Sequence, residues 1–141
     1  MITTMRVISK LPLLLVSAGT LFAQSSPADR IVGTWLTANQ ASEIEIAKCG
    51  DAYCGSIKFL QNPKNDEHNP DPSLRSRPLV GVRVLTGFHY TGLDTWSDGT
   101  LYGPERGKEF SPTLVLPSPD SLDIKIKAGM MSKTLTWTRE K

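Results

Sequence analysis

Beyond residue 30 the chain is patterned almost throughout with a period of two or with β-branched residues. Glu43-Ile44-Glu45-Ile46 puts Ile44 and Ile46 on one face, and Ser56-Ile57-Lys58-Phe59 repeats that pattern after a turn-prone Gly50-Asp51-Ala52-Tyr53 tetrad. Leu79 to Leu85 is apolar on both faces apart from Gly81 and Arg83, which predicts a covered strand that Phe88-His89-Tyr90 continues past a kink at Gly87. Thr95-Trp96, Thr100 to Tyr102, Lys108 to Leu116, Leu122 to Lys127 and Ser132 to Arg139 are further strands. Gly92-Leu93-Asp94, Ser97-Asp98-Gly99, Gly103 to Gly107, Pro117 to Asp120 and Ala128-Gly129 supply the turns between them.

Eight or nine short strands with hairpin connections and no long helical pattern predict an all-β fold, either an antiparallel up-and-down barrel or a sandwich. The two ends of the pattern favour the barrel. Ile31 to Thr37 places Gly33 and Trp35 on the first strand, and Thr136-Trp137-Thr138-Arg139 ends the last. A barrel brings these strands together, removes both sheet edges and lets the Arg139 guanidinium lie over the Trp35 ring. Gly33, Trp35, Trp137 and Arg139 are therefore the expected closure residues. One long insertion, residues 61–78, interrupts the meander. Within it Asp71 followed by Pro72 can cap a short helix through Ser73, Leu74 and Arg75.

The N-terminal pattern is different. Arg6 and Lys10 precede an apolar run from Leu11 to Phe22, then Ala23 and a polar stretch, the layout of a secretory signal peptide with a core short for a membrane span. The reading is a leader over residues 1–23, cleaved after Ala23 or after Ala18, and one domain over 24–141; an uncleaved anchor is the alternative. Removing 23 of the 141 residues leaves 118, enough for one modest core. It also changes the charge: Arg6 and Lys10 account for two of 16 basic groups, so 14 remain against 14 acidic ones, all downstream. A formally neutral chain without a basic run gives no electrostatic case for nucleic acid, and no transmembrane segment follows the leader. Cys49 and Cys54 flank the tetrad and read as a local disulfide in an oxidising compartment, periplasmic or extracellular. The spacing is not Cys-x-x-Cys, which disfavours a redox pair, and two cysteines alone make a poor metal site.

A wider constellation carries a family resemblance. Gly33-Thr34-Trp35, Cys49-Gly50 with Cys54-Gly55, Asn69-Pro70-Asp71-Pro72-x-Leu74-Arg75-x-Arg77-Pro78-Leu79-x-Gly81, Trp96-x-x-Gly99-x-Leu101-Tyr102-x-Pro104-x-x-Gly107-Lys108-x-Phe110 and Thr136-Trp137-Thr138-Arg139 together resemble a family of small exported bacterial proteins catalogued as domain of unknown function 2147. The resemblance spans the mature chain and implies a lipocalin-like or fatty-acid-binding-protein-like barrel, with no reaction attached. Two departures stand out: Gly103 where an aspartate is expected before Pro104, and a shortened Gly129-Met130-Met131 hairpin.

Chemistry is sparse. His68 and His89 have no metal-ligand spacing and no serine in a nucleophile elbow, so no enzyme, metal or cofactor is assigned. Asp66, Glu67, His68 and Asp71 match no calcium loop and read as a solvated cluster. Arg75, Arg77 and Arg83 are the candidate anion clamp, with Arg83 entering the barrel on the parity of Leu79 and Leu85; the alternative ties Arg75 and Arg77 to the loop and turns Arg83 to solvent. Trp96 and Tyr102, with Phe110, Phe59, Phe88 and Trp137, are candidate pocket walls, though an eight-stranded barrel can also be filled by its own side chains. The leading function is a binding module for a small, mostly apolar ligand such as a fatty-acid-like molecule with an anionic head. The alternative is a solid-cored interaction protein that meets a protein partner through residues 61–78 and the Met130-Met131 tip.

Overall fold

A computed structural model describes residues 3–4, 8–22 and 24–141. Arg6 and Ala23, on which the leader reading partly rests, lie outside the described residues. Those described before Pro27 have no regular secondary structure and are exposed, and among the described residues no helix is long and apolar enough to cross a membrane.

Ten strands follow: β1 (Gly33–Leu36), β2 (Ser42–Cys49), β3 (Ala52–Leu60), β4 (Arg83–Gly92), β5 (Thr95–Ser97), β6 (Thr100–Gly103), β7 (Lys108–Phe110), β8 (Thr113–Ser118), β9 (Ser121–Ala128) and β10 (Met131–Arg139). All pairings are antiparallel, and β1 pairs with both β2 and β10 while β3 pairs with β4, so the sheet closes on itself. The ten segments make eight staves. β5 lies beside the second half of β4 and β6 beside its first half, so the two are one interrupted strand. β7 pairs with β6 and β8 with β5, which makes a second.

Both interruptions have local causes. At Gly99 a Cβ would come within 2.5 Å of the Phe88 ring and 2.6 Å of the Thr86 carbonyl, so the wall bends where only glycine fits. The Lys108 to Leu116 run, expected as one strand, breaks at Ser111-Pro112, where proline has no N–H for the ladder. Leu79 to Leu85 is likewise not one strand. Leu79–Val82 forms a turn with Gly81 at φ 92° and hydrogen bonds to Lys64 and Ile57, and β4 begins only at Arg83.

The connections sort by end. The β2–β3, β4–β5 and β8–β9 turns, the 3-10 turn Pro27–Ile31 and the C-terminus share one end. The β1–β2 connection, the long β3–β4 segment and the β6–β7 and β9–β10 turns share the other. The core is concentrated toward the first end, where Ile31, Trp35, Phe88, Trp96, Leu114, Leu122 and Ile124 are all essentially without solvent contact. Cys49 and Cys54 form the disulfide across the β2–β3 hairpin.

Candidate functional site

The closed end is a floor made of aromatic rings and backbone carbonyls. Trp35 Nε1 donates to the Ile31 carbonyl at 2.9 Å and Trp96 Nε1 to the Ala28 carbonyl at 3.1 Å, so the 3-10 turn is fastened across the barrel by two indoles. The Tyr53 hydroxyl donates to Asp29 and Arg30 pairs with Asp94, which pins the same turn from outside. The Asp29 hydrogen bond, after burial, pushes the Tyr53 phenol up to about 12, and that bond in turn holds the Asp29 carboxyl below the usual range.

Arg139 completes the floor. Its guanidinium carbon sits 4.3 Å from the centroid of the Trp35 ring, and its three nitrogens donate to the carbonyls of Pro119, Val32 and Arg30 at 2.7–2.8 Å. Gly33 makes room for it. A Cβ there would lie 2.5 Å from Arg139 Nη1, and φ is 144°.

The opposite end is hollow. A cavity of about 740 Å³ opens there, within the range of small-molecule sites. Its walls are apolar: Ile44 and Ile57 from β2 and β3, Val84 and Leu101 from β4 and β6, Phe110 from β7, Ile126 from β9, and Leu135 and Trp137 from β10. The rim is polar, formed by Thr37 to Ser42 of the β1–β2 connection, Asn62 and Lys64 of the long segment, and Gly103 to Arg106 of the β6–β7 turn. Met131 and Lys133 belong to the rim as well. They share the inward register of β10 with Leu135 and Trp137, opposite Ala128 and Ile126 of β9. Among the described residues Lys64, Arg106 and Lys133 form no salt bridge, and Glu105 is the acidic residue of the lining.

The three arginines lie away from this cavity, in the arrangement given above as the alternative to a clamp. Arg75 Nε donates to the Asn69 carbonyl at 2.8 Å, and Arg77 holds Asp66 Oδ2 through Nε and Nη2 at 3.0 and 2.9 Å. Arg83 is exposed on the outer face, because the β3–β4 register shifts between Gly55 and Ser56 and leaves Val84 and Leu85 both buried. Arg77 and Arg83 line a separate cleft of about 490 Å³ beneath the long segment, with Asp71 and Glu109. Trp96 is fully buried in the floor and away from the cavity. Of the aromatic residues that could line a pocket, Tyr102, Phe110 and Trp137 reach it, while Trp96, Phe88 and Phe59 do not.

Tyr102 leads to a group the sequence reading placed in solvent. Asp66 is 0% exposed. It accepts from the Tyr102 hydroxyl at 2.6 Å, from Asn69 Nδ2 at 2.8 Å and from Arg77, while its N–H donates to the Arg77 carbonyl. Burial alone would push the carboxyl up; the donors Tyr102, Asn69 and Arg77 outweigh it and hold Asp66 below the usual range. Burial and the Asp66 bond push the Tyr102 phenol up to about 12, so it stays a donor. Asp71 caps the 3-10 turn Pro72–Leu74 by accepting from the Ser73 N–H. A Cβ on Gly107 would lie 1.8 Å from the His68 carbonyl, so the β6–β7 turn packs directly on this segment. The long insertion is thus a brace behind the Tyr102 wall of the cavity. No cluster of three or more His, Cys, Asp or Glu suited to a metal occurs among the described residues.

Comparison with known proteins agrees with this geometry. No curated protein matches the chain. The solved structure of protein HP1028 from the human pathogen Helicobacter pylori, described as belonging to the lipocalin family, superposes with a TM-score of 0.70 at 25% identity. The match covers 78% of this chain and 82% of that one. The family model described as "Uncharacterized protein conserved in bacteria (DUF2147)" matches residues 33–139, from the glycine that admits Arg139 to Arg139 itself. A closed eight-stave barrel matched along nearly its whole length places the chain in that family: it is a DUF2147 protein with a lipocalin-like fold.

Proposed function

We propose that this protein is an exported binding module whose barrel holds one small, mostly apolar ligand, with an acidic head group at the mouth. The observation that supports it is the cavity of about 740 Å³, apolar in its walls and cationic at its rim. Ile44, Ile57, Leu135 and Trp137 take the apolar body, and Lys133, Lys64 and Arg106 replace Arg75, Arg77 and Arg83 as the residues for the head group. The disulfide fits residence in an oxidising compartment after loss of residues 1–23. The hollow interior disfavours a solid barrel acting only through its loops.

Displacement of a fluorescent fatty acid from the mature chain tests the reading, together with native mass spectrometry of protein purified without detergent. Long-chain carboxylates should displace the probe, and Lys133→Glu should weaken carboxylates while leaving the matching fatty alcohols unchanged. Leu135→Trp should fill the cavity and abolish binding with the fold retained. No displacement by carboxylate or alcohol, and no bound mass, would overturn the proposal.

A further inference from the structure

The β9–β10 hairpin projects two methionines beyond the rim. Met130 is fully exposed and Met131 is 78% exposed, at a tip turned by Gly129 with φ 63°. Lys125 and Lys127 stand on the outer face of β9 just below them and Lys133 on the inner face of β10; from Ile124 to Thr138 there is no acidic residue. The closed end differs. Each of its three hairpin turns carries an aspartate, Asp51, Asp94 or Asp120, and Leu93, the other strongly exposed apolar residue of the barrel, sits beside Asp94. At the base the aspartates stand among Arg30, Lys48 and Arg139, with Asp94 paired to Arg30 and Asp29 to Lys48, so the unbalanced charge beside an exposed apolar residue is the cationic one at the tip.

We infer that the β9–β10 tip docks on an anionic bilayer surface, with Met130 and Met131 entering the headgroup boundary and Lys125 and Lys127 held against lipid phosphates. Methionine is flexible and apolar enough to enter a disordered boundary, and cations beside inserted apolar residues are the ordinary recipe for interfacial attachment. The cations at the tip face the anionic surface and leave the base outward. Because Met131 and Lys133 also line the cavity rim, this orientation brings the mouth down to the lipid, where an apolar ligand could pass without crossing water. The docking is a property of the tip, and it stands or falls independently of what the cavity holds.

The test is co-sedimentation of the mature chain with vesicles of phosphatidylcholine alone and with about one third phosphatidylglycerol, with no added ligand. Binding is expected to the anionic vesicles only, and to weaken as salt rises. Met130→Asp and the Lys125→Glu/Lys127→Glu pair should each weaken partitioning about tenfold or more. These side chains are exposed, so an unchanged circular dichroism melt shows the fold intact. Leu93→Asp, the same change at the base, should leave binding unaltered. Equal partitioning onto neutral and anionic vesicles, no binding to either, or an unaffected Met130→Asp variant would overturn the inference. So would tip-dependent capture of an envelope protein by a chain that ignores lipid.

Discussion

Replacing Asp66 by alanine should be among the most damaging single changes outside the apolar core. The carboxylate receives four hydrogen bonds: one each from Tyr102 and Asn69 and two from Arg77. Bonds to a charged acceptor are worth about 1.5–3 kcal/mol each, but the sum overstates the loss. Alanine also relieves the cost of keeping a charge dry, and Arg77, 37% exposed, can turn to water. Asn69, only 7% exposed, has no such escape, and the partly buried Tyr102 hydroxyl loses its charged acceptor. A net loss of about 3–4 kcal/mol follows, the range for removing one partner of a buried pair. For a domain of this size that lowers Tm by roughly 10–20 °C. Urea melts at pH 7 would show a lower midpoint at unchanged slope. Asp66→Asn, which keeps one acceptor, should lose about half as much by the same bond values. A loss below about 1 kcal/mol for Asp66→Ala would refute the view that this network braces the wall.

Acid should reproduce part of that loss. The Asp66 carboxyl is held below its ordinary range in the fold, so its contribution is complete above about pH 4 and disappears as pH falls through the lowered value; the wild-type stability curve should fall more steeply there than that of Asp66→Ala. Trp35→Ala should cost about 3–5 kcal/mol in the same melts, since it removes a fully buried ring, a carbonyl bond and the seat of Arg139, and a loss below about 1 kcal/mol would show the floor to be misassigned. Gly107→Ala should shift the long segment off the β6–β7 turn, read as faster amide exchange at Asp66 to Asn69, because no Cβ fits 1.8 Å from the His68 carbonyl. Cys49→Ser/Cys54→Ser should cost about 2 kcal/mol without altering the fold, the loop between them being short.

What could be read from the chain was whatever depends on neighbours in sequence. Ile44 and Ile46 alternate and face inward, the Cys49–Cys54 hairpin closes over a turn tetrad, and Asp71-Pro72 starts its turn because cap and φ are local properties. Arg83 shows where this stops: its parity with Leu85 pointed inward, and a register shift against β3 turned it outward. Lys133 carries a usable signal, since it shares parity with Leu135 and Trp137, whereas the three arginines near the long insertion have no such apolar partners on both sides. The break at Pro112 was similarly readable, from a residue without an N–H. Asp66 offered nothing local. An aspartate among Asn65, Glu67 and His68 looks solvated, and its burial depends on Tyr102, 36 residues away, and Arg77.

The Arg139 clasp also fixes when the barrel can finish folding. Its guanidinium reaches back across 107 positions to Val32 from the end of β10. A polypeptide that emerges N-terminus first therefore makes its hairpins in order but leaves β1 half-paired, and its floor unlatched, until β10 is available. Loop closure over that span carries its full entropy cost before the clasp returns anything. Until then the chain is a row of hairpins with two bare edges, in need of protection from its neighbours.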